Sequence, residues 1–266
     1  MIKKPKKSLG QNFLTAQSVV DKIIETAKLD SKDIVLEIGT GKGILTKSLL
    51  EKAKKVISIE KDDELISYLQ EKFKDEIKNG KLILVHGDIL TFDFEKYGLK
   101  NNNYKIVANI PYYITGEFLR SILSSDIQPK SMVLLVQKEV AERIARNKKE
   151  SILSISVKAY GEPKYIQTVK AGSFVPPPKV DSAILLIDNI SKLFFSKDGP
   201  CWGLEKRFFE ILKTGFAHKR KLLSGNLSIF MDKEKLKIIF KQLGITEKAR
   251  AEEISLNQWG KLVEIL

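Results

Sequence analysis

Five short apolar runs punctuate the first half of the chain: Ile34-Val35-Leu36-Glu37-Ile38, Lys55-Val56-Ile57-Ser58-Ile59-Glu60, Leu82-Ile83-Leu84-Val85, Ile106-Val107-Ala108 and Ser131-Met132-Val133-Leu134-Leu135-Val136. They scarcely alternate between apolar and polar, so they read as strands buried on both faces, the signature of a parallel sheet. Val19, Val20, Ile23, Ile24 and Ala27 instead recur at helical spacing within Ser18 to Lys28, and Lys138 to Arg146 reads as a helix. Ser151 to Lys158 is a helix or connector, and Tyr165 to Val169 and Ala183 to Ile187 are further strand segments. Near Asp188-Asn189-Ile190-Ser191 the pattern changes. Leu204, Phe208, Phe209, Leu212 and Phe216 form a helical stripe, and helices follow around Lys233 to Gln242 and Leu256 to Leu266, with Gly225 and Gly244 between them. The expected organisation is an α/β domain over 1–188 and a small all-α domain over 189–266.

Composition narrows the class. The chain has 266 residues, 43% of them hydrophobic, without an apolar run near the ~20 residues that span a bilayer. The start, Met1-Ile2-Lys3-Lys4-Pro5-Lys6-Lys7, lacks the apolar core of a secretory signal. Cys201 is the single cysteine, and His86 and His218 stand apart from it. A cytoplasmic protein with no disulfide, metal site or membrane association is expected. The net charge of +13 favours a nucleic-acid partner, although solvated lysines alone would also produce it. From Asn189 onward 15 Lys and Arg face nine acids, an excess of six, which leaves seven of the +13 to the rest.

The chemistry is concentrated after the strands. Glu37-Ile38-Gly39-Thr40-Gly41-Lys42-Gly43 lacks the glycine spacing and the Lys-Ser/Thr of a phosphate loop. It also departs from the G-x-G-x-x-G of dinucleotide sites, and suits a ligand without phosphates, such as S-adenosylmethionine. Glu60, twenty-one residues after Gly39, stands where an acid reaches a ribose, although helix capping would also explain it. Asp88 closes the third strand and could accept from an adenine amine. The fourth strand leads into Asn109-Ile110-Pro111-Tyr112. Proline fixes its own φ and keeps Ile110 out of the helical region, so the Asn109 amide and the Ile110 carbonyl can face a pocket in which Tyr112 stacks on a planar base.

These motifs, with Gln11-Asn12-Phe13-Leu14, Gln137-Lys138-Glu139-Val140-Ala141 and Phe174-Val175-Pro176-Pro177-Pro178-Lys179-Val180-Asp181-Ser182, resemble the ribosomal RNA adenine N6,N6-dimethyltransferase family from about Lys7 to the C-terminus. Thr40 stands where that family usually has proline, and Tyr113 where it commonly has asparagine. The proline run and the Gly10 to Leu14 start point to the small-subunit branch rather than the Erm resistance methyltransferases of large-subunit RNA. The resemblance implies a Rossmann-like class I methyltransferase fold with a seven-stranded mixed sheet, an S-adenosylmethionine cofactor, and a monomer acting on small-subunit ribosomal RNA or its assembling pre-30S-type particle. It places Asn12, Leu14, Glu37, Gly39, Gly41, Glu60, Asp88 and Asn109 around the cofactor. Asn109, Ile110, Pro111 and Tyr112 fall at the target base, with Phe174 a candidate for its opposite face, although a core role would equally suit Phe174. The competing readings are an Erm-type enzyme, a small-molecule methyltransferase and a non-catalytic RNA-binding assembly factor.

Overall fold

In a computed structural model that describes residues 5–6 and 9–266, every apolar run of the first half is a strand. Lys3, Lys4 and Lys7 of the basic start lie outside the described residues. The chain forms two compact units: residues up to Ala141 with Glu162–Ile190, and Glu142–Gly161 with Ser191–Leu266.

The first unit begins with β1 (Phe13–Leu14) and α1 (Gln17–Ala27), and then alternates β2 (Ile34–Ile38), α2 (Ile44–Lys52), β3 (Lys55–Glu60), α3 (Asp63–Lys72), α4 (Lys74–Lys78), β4 (Leu82–His86), β5 (Tyr104–Asn109), α5 (Thr115–Ser124) and β6 (Met132–Gln137). Helix α6 (Lys138–Ala145) contains the division between the units, and α7 (Ile152–Lys158) belongs to the second. Strands β7 (Glu162–Val169), β8 (Phe174–Val175) and β9 (Ser182–Asp188) return to the first. The sheet order is β4-β3-β2-β5-β6-β9-β7, seven strands with β9 antiparallel to both neighbours. Val35, Leu36, Val56, Ile57, Val107, Leu134 and Leu135 are all buried, as strands covered on both faces require.

Chain order runs outward in one direction from β2 to β4 and in the other from β5 to β6. The β2/β5 boundary is therefore the point where strand order reverses, the usual place for a ligand at the carboxyl ends of such a sheet. The proline run is not part of this sheet. Its first residues form β8, antiparallel to β1, with Leu14 opposite Phe174 and Phe13 opposite Val175.

The second unit adds α8 (Glu205–Gly215), α9 (Leu223–Leu227), α10 (Lys233–Gln242) and α11 (Leu256–Ile265) to α7. Rings of Phe194, Phe195, Phe208 and Phe209 meet mostly edge to face at 5.1–5.4 Å, a favoured aromatic geometry. Tyr160 joins them at 5.4 Å from Phe195, and its hydroxyl donates to Glu205 Oε1 at 2.5 Å. The Glu150 N–H donates to the Glu252 carbonyl at 2.7 Å. The structure thus divides differently from the 188/189 boundary of the sequence, because residues 142–161 find their aromatic and polar partners among the C-terminal helices. Among the described residues no helix is long and apolar enough to cross a membrane.

Candidate active site at the tips of the parallel strands

A cavity of about 270 Å³ opens over the β2/β5 boundary. Gly39, Gly41, Glu60, Asp88, Asn109, Ile110, Pro111 and Tyr112 all line it, joined by Gly10 to Phe13 from the N-terminal side. Residues distant in sequence meet here because parallel strands end in register: Ile38 pairs with both Ile59 and Ala108, so the next residue of each chain emerges at one edge.

The glycine turn is shaped by close approach. Gly39 has φ +75°, and a Cβ there would lie 3.2 Å from the Asn109 carbonyl, so a side chain would strain the backbone and crowd β5. Its N–H donates to the Ile59 carbonyl at 2.9 Å, and the Gly41 N–H donates to Glu60 Oε2 at 2.9 Å. Glu60 Oε1 accepts from the Lys61 and Asp62 N–H groups at 2.9 and 3.0 Å. Burial pushes the Glu60 carboxyl up from its ordinary range, and these three N–H groups pull it back. At Asp88 the hydrogen bond from Lys61 Nζ, 2.8 Å, holds the carboxyl below the usual carboxylate range, while Oδ1 accepts from the Leu90 N–H at 3.0 Å.

Asn109 donates from Nδ2 to the Asn12 carbonyl at 3.2 Å, which fixes the amide plane and leaves Oδ1 as its acceptor. Tyr112 is half-buried, and its hydroxyl is 2.6 Å from Ser182 Oγ. Tyr113 is exposed and its ring lies against Gly10, where a Cβ would be 3.3 Å from Cδ1. The departure at that position therefore builds a contact with the N-terminal segment.

Three of the expected site residues, Glu37, Leu14 and Phe174, are not among those that line the cavity. Glu37 is buried beneath the glycine turn, where its carboxylate accepts from Ser58 Oγ at 2.6 Å and from Thr46 Oγ1 at 2.8 and 3.0 Å. Since Ser58 spends its one proton on Glu37, Thr40 Oγ1 is the donor in the 2.6 Å contact with Ser58, so the threonine that replaces the family's usual proline extends the same network. Leu14 and Phe174, paired across β1 and β8, are 6% and 2% exposed and belong to the core. Neither is among the residues that line the cavity.

Burial of Glu37, opposed by its two hydroxyl donors, pushes its carboxyl up to about 7. A carboxyl raised on folding favours the folded state while protonated, so this contribution is lost as pH rises from about 4.5 through about 7. Urea unfolding at pH 5 and pH 8 is expected to show a larger loss for the natural protein than for Glu37→Gln, by up to about 3 kcal/mol. Equal losses would mean that Glu37 ionises normally.

Sequence reasoning passed over Lys61 and the apolar walls Ile38, Ile59 and Ile89, which also line the cavity. Each neighbours a strand tip it did identify. The lining suits S-adenosylmethionine: apolar walls for a base, carboxylates for hydroxyls and cationic groups, and glycines where backbone must come close.

The profile of the family described as ribosomal RNA adenine dimethylase matches residues 2–266. The chain belongs to this family. Among the dimethylase-family relatives, the ribosomal RNA small subunit methyltransferase A of Clostridium botulinum (strain ATCC 19397 / Type A) is 40% identical over 264 residues, 98% of this chain and 93% of that protein. The protein of that name from Dehalococcoides mccartyi (strain BAV1) is 41% identical over 263 residues, 97% and 87% of the two chains. Among solved structures, a dimethyladenosine transferase from Plasmodium falciparum is 30% identical with a TM-score of 0.77, covering 94% of this chain and 95% of that one. The 23S rRNA methyltransferase ErmE, at 24% identity, TM-score 0.75 and coverage of 95% and 98%, shares the fold. The dimethylase family is one of methyltransferases, and the seven-stranded mixed sheet described above is a Rossmann-like methyltransferase fold.

Proposed function

We propose that this chain transfers methyl groups from S-adenosylmethionine to N6 of two adjacent adenosines in the loop near the 3′ end of small-subunit ribosomal RNA, giving N6,N6-dimethyladenosine. It acts as a cytoplasmic monomer on that RNA or the pre-30S-type particle assembling around it. The observation that carries the reading is the convergence of Glu60, Asp88 and the Asn109 to Tyr112 turn on one cavity. The full-length likeness to small-subunit methyltransferases supports it over the Erm alternative.

Bound S-adenosylmethionine supplies an electrophilic methyl on a sulfonium. Gly39 and Glu60 would hold its methionine and ribose portions, Asp88 its adenine, and the Asn12 segment would cover it. The chain's task is then positioning. The adenine amine is a weak nucleophile because its lone pair is delocalised into the ring. Accepting its protons at Asn109 Oδ1 and the Ile110 carbonyl favours the pyramidal form whose lone pair points at the methyl. Holding the two in line supplies much of the remaining acceleration. Transfer would form the N–C bond as the methyl's bond to sulfur breaks, and the amine's extra proton would leave to solvent.

Tyr112 holds the extruded base by stacking. Tyr112→Ala is expected to raise KM for RNA roughly tenfold, as loss of ~1–3 kcal/mol of stacking implies. Tyr112→Phe keeps the ring, forfeits only the Ser182 contact and should stay within about threefold. Steady-state kinetics on RNA check both, and unchanged values for the alanine variant would remove Tyr112 from the site.

The function is tested by mass spectrometry of both ribosomal RNAs after incubation with protein and S-adenosylmethionine. Dimethyladenosine in the small-subunit RNA supports the proposal. Modification of large-subunit RNA would establish the Erm reading, and unmodified RNA with intact RNA binding would establish the assembly factor.

A further inference from the structure

Asp62 does not line the cavity, yet it ties together two of its walls. It follows Glu60 by two residues and is only 4% exposed. Oδ2 accepts from Gln11 Nε2 at 2.6 Å, and Oδ1 accepts from Lys6 Nζ at 2.6 Å and from the Glu64 N–H at 3.1 Å. Gln11 completes the link, because its Oε1 accepts from the Lys6 N–H at 2.7 Å. Gln11 lies between Gly10 and Asn12, which form the N-terminal wall, and the Asp62 N–H donates to Glu60 on the opposite side.

We infer that Asp62 is a positioning residue: its carboxylate fastens the Gly10 to Asn12 wall to the Glu60 loop and so sets the affinity for S-adenosylmethionine without touching it. This rests on the cofactor assignment proposed above. The polarity of the link is specific. Gln11 must present its amide nitrogen to Asp62, since its oxygen is committed to Lys6. With its oxygen toward the Glu64 N–H the Asp62→Asn side chain still caps α3, and the backbone N–H at that position still donates to Glu60. Whichever way the new amide turns, it cannot accept from both Lys6 Nζ and Gln11, because its nitrogen faces one of these donors. Adding Gln11→Glu reverses the polarity, with one carboxylate oxygen for the Lys6 N–H and the other for the amide introduced by Asp62→Asn.

The test is calorimetric titration of S-adenosylmethionine into the full chain and its variants. Asp62→Asn is expected to raise Kd roughly tenfold, and adding Gln11→Glu should return it to within about threefold of the natural protein. Hydrogen exchange gives a readout independent of ligand: Asn12 to Leu14 amides should exchange faster in Asp62→Asn and recover in the double variant. The cofactor KM should follow Kd, and turnover at saturating cofactor should fall by less than the affinity does, since the loosened wall carries the Asn12 carbonyl that tethers Asn109. If the natural protein binds and Asp62→Asn binds equally well, the inference fails and the cofactor reading stands. If Asp62→Asn is weaker but the double variant is no better, the polarity argument fails and with it the inference. No binding by the natural protein would overturn the cofactor reading and the inference together.

Discussion

Asn109→Ala is expected to lower turnover at least 100-fold while changing the Kd for S-adenosylmethionine by no more than about threefold. Removing one oxyanion-hole hydrogen-bond donor costs ~10²–10³ in kcat, and the loss of an aligned acceptor at the reacting amine is expected to be of that order. The geometry makes the prediction selective. Asn109 lines the cavity and its Nδ2 is tethered to the Asn12 carbonyl at 3.2 Å, which leaves Oδ1 as the side chain's acceptor. Loss of the tether loosens the N-terminal wall slightly, hence the small allowance in affinity. Single-turnover methylation alongside cofactor titration separates the two. An equal loss in both would show that Asn109 serves only to bind.

Glu60→Ala should fail differently, by weakening S-adenosylmethionine binding about 100-fold. Two charge-assisted hydrogen bonds to a ribose, each contributing about 1.5 kcal/mol, correspond to that factor. The same change leaves the Gly41, Lys61 and Asp62 N–H groups without their acceptor beside a carboxylate site only 7% exposed. A destabilisation of about 2–4 kcal/mol is therefore expected as well. Glu60→Gln retains an oxygen for part of that set and should recover much of the stability but little of the affinity. Titration calorimetry read beside denaturant unfolding distinguishes these effects, and full affinity in either variant would place the ribose elsewhere.

What could be read in advance was whatever depends on short stretches of chain. Strands covered on both faces announce themselves as unbroken apolar runs, so β2 to β6 and the polar residues at their tips were legible, and register carried Gly39, Glu60 and Asn109 to one edge. Glu37 misled because proximity to the glycines suggested a ligand role, whereas side-chain alternation turns it to the face it shares with Ser58. A clue was present: a serine amid Val56, Ile57 and Ile59 implies a polar partner underneath, and Thr46 on α2 supplies a second hydroxyl to the same group. Leu14 and Phe174 could not be placed from local pattern, since their burial comes from a pairing across about 160 residues. The link from Gln11 to Asp62 is equally non-local.

The assignment of residues 142–161 was hidden for a related reason, and it limits how this protein can be dissected. A helical half assembled from two separate stretches cannot be removed with a single cut. Ending the chain at Asp188 would leave Tyr160 without Phe195, Phe209 and Glu205, and the Glu150 amide without the Glu252 carbonyl. A shortened enzyme would carry an exposed, sticky remnant, prone to aggregate for reasons unrelated to catalysis. Chimaeras that exchange this half between relatives need to graft both stretches at once, and a loss of activity in a one-cut truncation says little about where RNA is gripped.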